Sequence, residues 1–289
     1  MFGIIQKGLF QEVGPPRYGR QDLGISPAGC MDRFAFDTGN IMLDNPPDHP
    51  ALEIIFGPQL VFESAAYFIL TGAMHHPVTL TVNDRETDVS HARVYLAQKG
   101  STLTFGEKVY GFRSYLCWRE AILEKAGGKA SIPDHLIGRE RGPFEDLCDW
   151  VDPGGLIRVV EGPEYGLLSN PRTFTSQAWS IAADSNQMGL RLLHTTAPLD
   201  IRPVNMISAP VSDGTVQMAP KGPIVLLRHR QTIGGYPRVY NVISGDVDML
   251  AQYMPGQRMR FKVVTMQEAL EIAGQRQNSL QVLKNRFAA

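Results

Sequence analysis

The segment Arg228-His229-Arg230-Gln231-Thr232-Ile233-Gly234-Gly235-Tyr236-Pro237 concentrates side chains able to do chemistry. It follows directly on the apolar run Pro223 to Leu227. Two glycines after a strand let the backbone bend and turn amide N–H groups toward a ligand. Gln231 and Thr232 add side-chain donors and acceptors beside them, and such donors can stabilise a developing oxyanion. The same glycines equally suit a plain turn that needs only their conformational freedom. His229, between two arginines, is either an acid or base titrating near neutrality or a solvated loop side chain.

A second cluster is Gly24-Ile25-Ser26-Pro27-Ala28-Gly29-Cys30-Met31-Asp32. Asp32 stands where a helix is expected to begin. It reads either as a first-turn carboxylate balancing the helix dipole or as a ligand or general base. Other pairings weaken on inspection. His75 and His76 are neighbours, and neighbours on a strand face opposite sides, so one ion cannot easily take both. Cys30, Cys117 and Cys148 are too sparse for a disulfide framework and form no Cys-x-x-Cys pair. Gly14-Pro15-Pro16-Arg17-Tyr18-Gly19 has no following Gly-Lys-Ser/Thr, so it is not a phosphate-binding loop.

These residues need a scaffold, and the chain reads mainly as strands. Val78-Thr79-Leu80-Thr81-Val82 alternates apolar and polar, and Asn83-Asp84 follows as turn chemistry. Further strands are expected over Val94 to Ala97, Leu103 to Phe105 and Tyr110 to Cys117, punctuated by Gly100, Gly106 and Gly111. The second half continues with Leu156 to Val160, Val204 to Ser208, Thr215 to Met218, Ile224 to Leu227 and Met259 to Val264. Asp213-Gly214 reads as a hairpin turn. Short strands at this spacing suggest a sandwich or barrel. Helices are expected over Met31 to Leu43 and from Met266 to Ala273. The second opens on the Thr265/Glu268 capping box and stops near Gly274, with a further tail helix carrying Leu280, Leu283 and Phe287.

A chain of 289 residues suggests about two domains. The break is placed in a charged, Gly- and Pro-bearing connection or lid at 120–153, between an N-terminal β subdomain at 1–119 and a C-terminal β subdomain at 154–274, with a tail at 275–289. Lys and Arg number 28 against 29 Asp and Glu, a net charge of −1. That balance argues against a general nucleic-acid binder or a polybasic membrane anchor. Residues 67–74 are too short an apolar run to span a bilayer, and the N-terminus lacks signal-peptide layout. A cytoplasmic protein is the expectation.

The run Gln231 to Pro237 resembles the signature of the allophanate hydrolase subunit 2 family. That family also goes by the name of the 5-oxoprolinase C-subunit and is related to the carboxyltransferase domain of urea amidolyase. Gly29-Cys30-Met31-Asp32 resembles its Gly-Ala-Met-Asp. Asn40 and Asn45, Leu52-Glu53, Gly57-Pro58, Leu70-Thr71-Gly72-Ala73, Met188-Gly189-Leu190-Arg191-Leu192, Ala251-Gln252 and Pro255-Gly256 follow in the family's order. The resemblance implies a mainly β fold with a few helices, in two β-barrel-like, cyclophilin-like subdomains. It implies a subunit-1-type partner, similar to the 5-oxoprolinase B-subunit, and an A-subunit-like protein in the wider complex. The implied activity is ATP-dependent opening of 5-oxoproline to glutamate. The alternatives are carboxyl transfer from carboxybiotin to urea or a similar amide, and a non-catalytic regulator that binds a kinase-inhibitor-like partner.

The chain departs from the family pattern at Glu12, Trp118, Gln187 and His229, where the family carries other residues. The candidate catalytic residues are Asp32, Gln231 and Thr232. The substrate-binding set is Gly29, Arg191, Gln217, Gly234, Gly235 and Tyr236, with no metal ligand. Arg191 either takes a substrate carboxylate bidentately or serves as a structural ion-pair partner. The expected substrate is a small amide or lactam. No covalent cofactor is expected; ATP enters through the complex, or carboxybiotin in the alternative.

Overall fold

A computed structural model describes residues 1–121 and 156–287. The connection or lid expected at 120–153 therefore lies outside the described residues, apart from its first two. The chain divides into two compact units. The first takes Met1–Pro15 and the described parts of Arg33–Asp149 and Ser279–Ala289. The second takes Pro16–Asp32 and the described part of Trp150–Asn278. The fold is mainly β with a few helices in two β-barrel-like units, as expected. The segment Pro16–Asp32 groups with the second unit, although in sequence it falls inside the span assigned to the first.

The first unit is an eight-stranded antiparallel sheet. Its strands are β1 (Phe2–Gln6), β2 (Leu9–Val13), β3 (Ala51–Phe56), β4 (Gln59–Phe62), β5 (Ala66–Val82), β6 (Arg85–Asp88), β7 (Tyr95–Ala97) and β8 (Thr102–Glu120). The long strands β5 and β8 pair from Ala66–Glu120 to Thr81–Thr102. The strands expected at 103–105 and 110–117 are one strand, and its glycines do not interrupt it. Gly106 sits where a Cβ would come within 2.6 Å of the Pro77 carbonyl, so the glycine permits close pairing. Gly111 has φ +72° and falls beside the bulges that shift the register around Met74. Phe62, Phe68, Leu103 and Trp118 fill the core.

Helix α1 (Arg33–Met42) packs on this sheet. A Cβ at Gly39 would lie 2.5 Å from the Cys117 sulfur, so the glycine sets the helix-to-sheet distance. Burial pushes the Cys117 thiol far above its ordinary value, which removes it as a nucleophile.

The second unit is a closed seven-stranded barrel. Its strands are β9 (Leu156–Glu161), β10 (Trp179–Ile181), β11 (Gly189–His194), β13 (Thr215–Ala219), β14 (Gly222–Leu226), β16 (Arg238–Val242) and β17 (Arg258–Val263). β9 and β17 run parallel; the other pairs are antiparallel. A separate short ladder joins β12 (Ala209–Pro210) to β15 (Ile233–Gly234). Phe174, from α2 (Arg172–Ser176), stacks on Tyr240 and on Phe261 at 4.4 Å from each.

Two expectations fail here for backbone reasons. Val204 to Ser208 is not a strand: only Ala209–Pro210 pairs, and Pro203 and Pro210 lack the N–H a ladder needs. Asp213-Gly214 turns the chain, with Gly214 at φ +80°, but does not close a hairpin, since β12 pairs with β15 rather than with β13. After α3 (Val247–Leu250), the last helix α4 (Met266–Phe287) opens on the expected capping box. Glu268 accepts from the Thr265 amide at 2.7 Å, and Thr265 Oγ1 accepts from the Glu268 amide at 3.1 Å. It runs through Gly274, where open space and good helix formers on either side outweigh about 1 kcal/mol of glycine cost.

In the first unit the loop after β6 is tied to β5. The Val89 amide donates to Val78 O and the Ala92 amide to Leu70 O, each at 2.8 Å. His91 in this loop is mostly buried and donates from Nε2 to Ala73 O at 2.9 Å. Burial holds its pKa down to about 4, the carbonyl bond pulls the other way, and nearby His75 lowers it further. Below pH 6.5 the unfolded chain takes a proton that the folded chain refuses until about pH 4. Stability should thus fall with pH across that window by about 1.4 kcal/mol per unit. Urea unfolding at pH 6.5 and pH 5.0 should show His91→Gln losing about 2 kcal/mol less than the parent over that step. An equal loss in both proteins would refute this.

Candidate functional site

The two sequence clusters, about 200 residues apart, meet in the second unit. Ser26 Oγ donates to Arg228 O at 2.8 Å, and the Ala28 amide donates to the same carbonyl at 3.2 Å. His229 Nε2 donates to Gly29 O at 3.1 Å. Arg228 Nε donates to Met31 O at 3.1 Å. Gly29 has φ +78°, a conformation that favours glycine, so its role in the turn is conformational. Asp32 is 4% exposed and its Oδ2 accepts from Gln252 Nε2 at 2.7 Å.

Beneath this junction lies a buried charge network. Arg228 pairs with Asp248 at 2.7 Å and with Asp213 at 3.1 Å. Arg230 pairs with Asp213 at 2.9 Å, and Arg276 with Asp248 at 3.3 Å. Tyr18 donates to Asp213 at 3.2 Å. Burial disfavours the Arg228 charge, but Asp248 and then Asp213 more than offset it, so its pKa stands above the ordinary arginine value. Sequence reasoning misses Asp213, Asp248, Gln252 and Arg276 as members of this site. Gln252 has a signal in the Ala-Gln pair, and Asp213 reads along the chain only as a turn residue.

The second half of the motif forms a chain of amides. Gln217, on β13 and 2% exposed, accepts from Gln231 Nε2 and donates to Tyr236 O, each at 3.2 Å. A Cβ at Gly234 would lie 2.5 Å from Gln217 Nε2. Gly234 is therefore the space that admits Gln217 rather than a bend with positive φ. Thr232 is buried, and its carbonyl accepts from the Val211 amide at 3.1 Å.

Gly235 and Tyr236 line a cleft of about 680 Å³. Its walls also carry Trp179, Met218 and several prolines, with His194, Arg202 and Lys221 as the basic groups and Asp200 as the acidic one. That is the usual size and make-up of a small-molecule site. Arg191 is not part of this lining. Its side chain is 42% exposed on β11 and pairs with Asp184 at 3.2 Å. Among the departures, Trp118 is core, with Phe2 edge-on at 5.2 Å, Glu12 is exposed, and His229 is part of the junction. Among the described residues no group of three or more His, Cys, Asp or Glu could hold a metal, and no helix is long and apolar enough to cross a membrane.

The network generates a stability prediction. Arg228→Ala leaves Asp213 and Asp248 with less compensation and should cost about 3–5 kcal/mol in urea unfolding. Combined with Asp248→Ala it should cost less than the sum of the single changes, by at least about 1 kcal/mol. Simple additivity would mean the pair is not coupled.

The sequence matches the family described as carboxyltransferase domain, subdomain A and B, over residues 23–143 and 128–263. The 5-oxoprolinase C-subunit of Escherichia coli (strain K12) is 31% identical over 300 residues, covering 94% of this chain and 94% of that protein. Its namesake in Haemophilus influenzae is 28% identical, covering 93% and 92%. In fold, the chain is similar to the crystal structure of the K. lactis urea amidolyase, with a TM-score of 0.78 at 19% identity. That likeness covers 98% of this chain and 20% of the other. The motifs gathered at the Arg228 junction thus lie within a match that spans most of the sequence, and the chain belongs to the carboxyltransferase domain, subdomain A and B, family.

Proposed function

We propose that this chain is one component of an ATP-dependent amidohydrolase of the 5-oxoprolinase type. It would open the lactam of 5-oxoproline to glutamate with a partner similar to the 5-oxoprolinase B-subunit and an A-subunit-like protein. The observation that carries this reading is the match along nearly the whole length of two relatives that bear the name of the 5-oxoprolinase C-subunit. The likeness to urea amidolyase, by contrast, spans a fifth of that protein.

The reaction balances as 5-oxoproline, ATP and two waters giving glutamate, ADP and phosphate. The ring C–N bond breaks, one water's oxygen ends on the former carbonyl carbon, and the leaving nitrogen takes a proton. A lactam carbonyl is a weak electrophile. Each well-placed donor stabilises its oxyanion by about 2.7–4 kcal/mol, which falls short of what activation by a phosphoryl group supplies. The sequence has no phosphate-binding loop, so ATP is assigned to a partner chain.

The cleft supports an anionic cyclic amide as substrate. In this reading Arg202 and Lys221 take the carboxylate, the role that sequence offers to Arg191, and the apolar wall takes the ring. Gln231 and Gln217 hold the Gly234–Tyr236 backbone that edges the cleft. Asp32, oriented by Gln252, and Thr232 remain the proposed polar catalytic groups, with Asp32 as the base; neither lines this cleft, so the reading requires the assembled complex to bring them to the substrate.

The test is 5-oxoproline-dependent ATP hydrolysis by the native partners with and without this chain. Turnover should require the chain, and Arg202→Ala should lower kcat/KM for 5-oxoproline about tenfold to a hundredfold with assembly intact. Assembly without turnover would overturn the reading. The family's description as a carboxyltransferase domain supports a second one, transfer from carboxybiotin to urea or a similar amide. Carboxyl exchange from carboxybiotin in the absence of ATP would then be the activity found.

A further inference from the structure

The cleft of the second unit has a single carboxylate among its lining residues, Asp200, beside the basic Arg202, Lys221 and His194. A negative charge there opposes the binding of an anion by those cations, so it needs a partner of its own. Its position is fixed by the neighbouring loop. The Asp200 amide donates to Asn170 Oδ1 at 2.8 Å, its carbonyl accepts from the Ser169 amide at 3.0 Å, and Asn170 Nδ2 lies 3.4 Å from Asp200 Oδ2. Both backbone polar groups are thus turned to residues 169–170, and the exposed side chain is what Asp200 presents to the cleft.

Ile201 bridges Leu168 and packs on the barrel core. In extended backbone its two neighbours, Asp200 and Arg202, point together to the opposite side, with about 7 Å between their Cα atoms. The Arg202 amide donates to Leu167 O at 2.9 Å and its guanidinium donates to Gly166 O, so both residues are held on one short stretch of wall. Among the described residues, Asp200, Arg202 and Lys221 form no salt bridge with one another or with any other group, and Asp200 Oδ1 has no partner. A fixed carboxylate and a fixed guanidinium, neither of them neutralised, complement a molecule with a donor nitrogen next to a carboxylate. Those two groups are two bonds apart in an α-amino acid. With a hydrogen bond of about 2.8–3 Å on each side they bridge the spacing of Asp200 and Arg202.

We propose that Asp200 recognises the substrate nitrogen: it accepts the ring N–H of the lactam and then pairs with the ammonium of the opened amino acid. This rests on the reading of the cleft as the lactam site. The nitrogen enters as N–H and leaves as NH3+. The ring C–N bond breaks, the oxygen of one water ends on the former carbonyl carbon, and the two protons of that water end on the nitrogen. The Asp200 charge therefore matters more as the reaction proceeds, whereas Arg202 and Lys221 hold a carboxylate that is present throughout.

The experiment titrates three probes by calorimetry into the full chain assembled with its native partners, without ATP. They are 5-oxoproline, its lactone counterpart with a ring oxygen in place of N–H, and L-glutamate. The parent should bind 5-oxoproline about tenfold more tightly than the lactone. Asp200→Asn keeps an acceptor and nearly the same shape, so 5-oxoproline should stay within about threefold while L-glutamate weakens about tenfold. Equal affinity of lactam and lactone for the parent, or one common change for all three probes in Asp200→Asn, overturns the proposal. Arg202→Ala then shows which premise failed. If it weakens both cyclic probes, the cleft still binds substrate and only the role of Asp200 falls. If 5-oxoproline does not bind, or binds as well to Arg202→Ala, the lactam reading of the cleft falls with it. Should Asp200→Asn not fold, the comparison of lactam and lactone on the parent decides alone.

Discussion

A single buried guanidinium organises the second unit. Arg228 is taken out of water at the end of β14, and that is tolerable only because Asp248 and Asp213 face it and Met31 offers its carbonyl. A buried charge must be paired and its remaining protons satisfied, so the site is over-determined. Its five donors have a rigid planar geometry, which is why the surrounding partners come from four separate stretches of chain. The segment carrying Gly29 and Asp32 is held by the same residue, through Ser26 and Ala28 on its carbonyl. The position of the Asp32 carboxylate therefore follows from where an arginine 196 positions later can be neutralised.

The cleft depends on a weaker but more directional arrangement. Gln217 is buried in the barrel wall and must satisfy its amide, which it does with Gln231 and the Tyr236 carbonyl. This fixes the backbone between Gly234 and Tyr236 at the cleft's edge. A side chain at Gly234 would collide with the glutamine, so the glycine pair matters for the room it leaves. Binding and chemistry of the kind proposed need such pre-ordering, because donors that must reorganise lose much of their worth.

The first unit is ordered by a different device. The β5–β8 pair runs for most of two long strands, and its glycines sit at a close backbone approach and beside the register shifts. The loop after β6 returns to β5 and buries His91 beside His75. Apolar packing of Phe62, Phe68 and Trp118 then makes the sheet's inner face a core, which leaves polar groups along β5 to be satisfied locally or not at all.

Much of this is legible from residue order alone. Alternation marks Val78 to Val82, which are only the last five residues of β5. The strands expected at 215–218 and 259–264 fall within one residue of β13 and β17 at each end, and Thr265 with Glu268 announces the last helix through two backbone bonds that need no tertiary partner. Family motifs point to Asp32 and to Gln231 through Tyr236. Local rules fail where partners decide. Gly274 does not end a helix, Asp213-Gly214 does not close a hairpin, and Pro16–Asp32 joins the unit that is distant from it in sequence. Asp213 and Asp248 carry no sign in sequence of being counter-charges, because neutralisation of a buried arginine is a matter of distance in space. Hydrophobic period, turn chemistry and caps are short-range quantities and can be read along the chain. Which charges meet and which glutamine finds a carbonyl depend on long-range burial, and only the folded chain sets that.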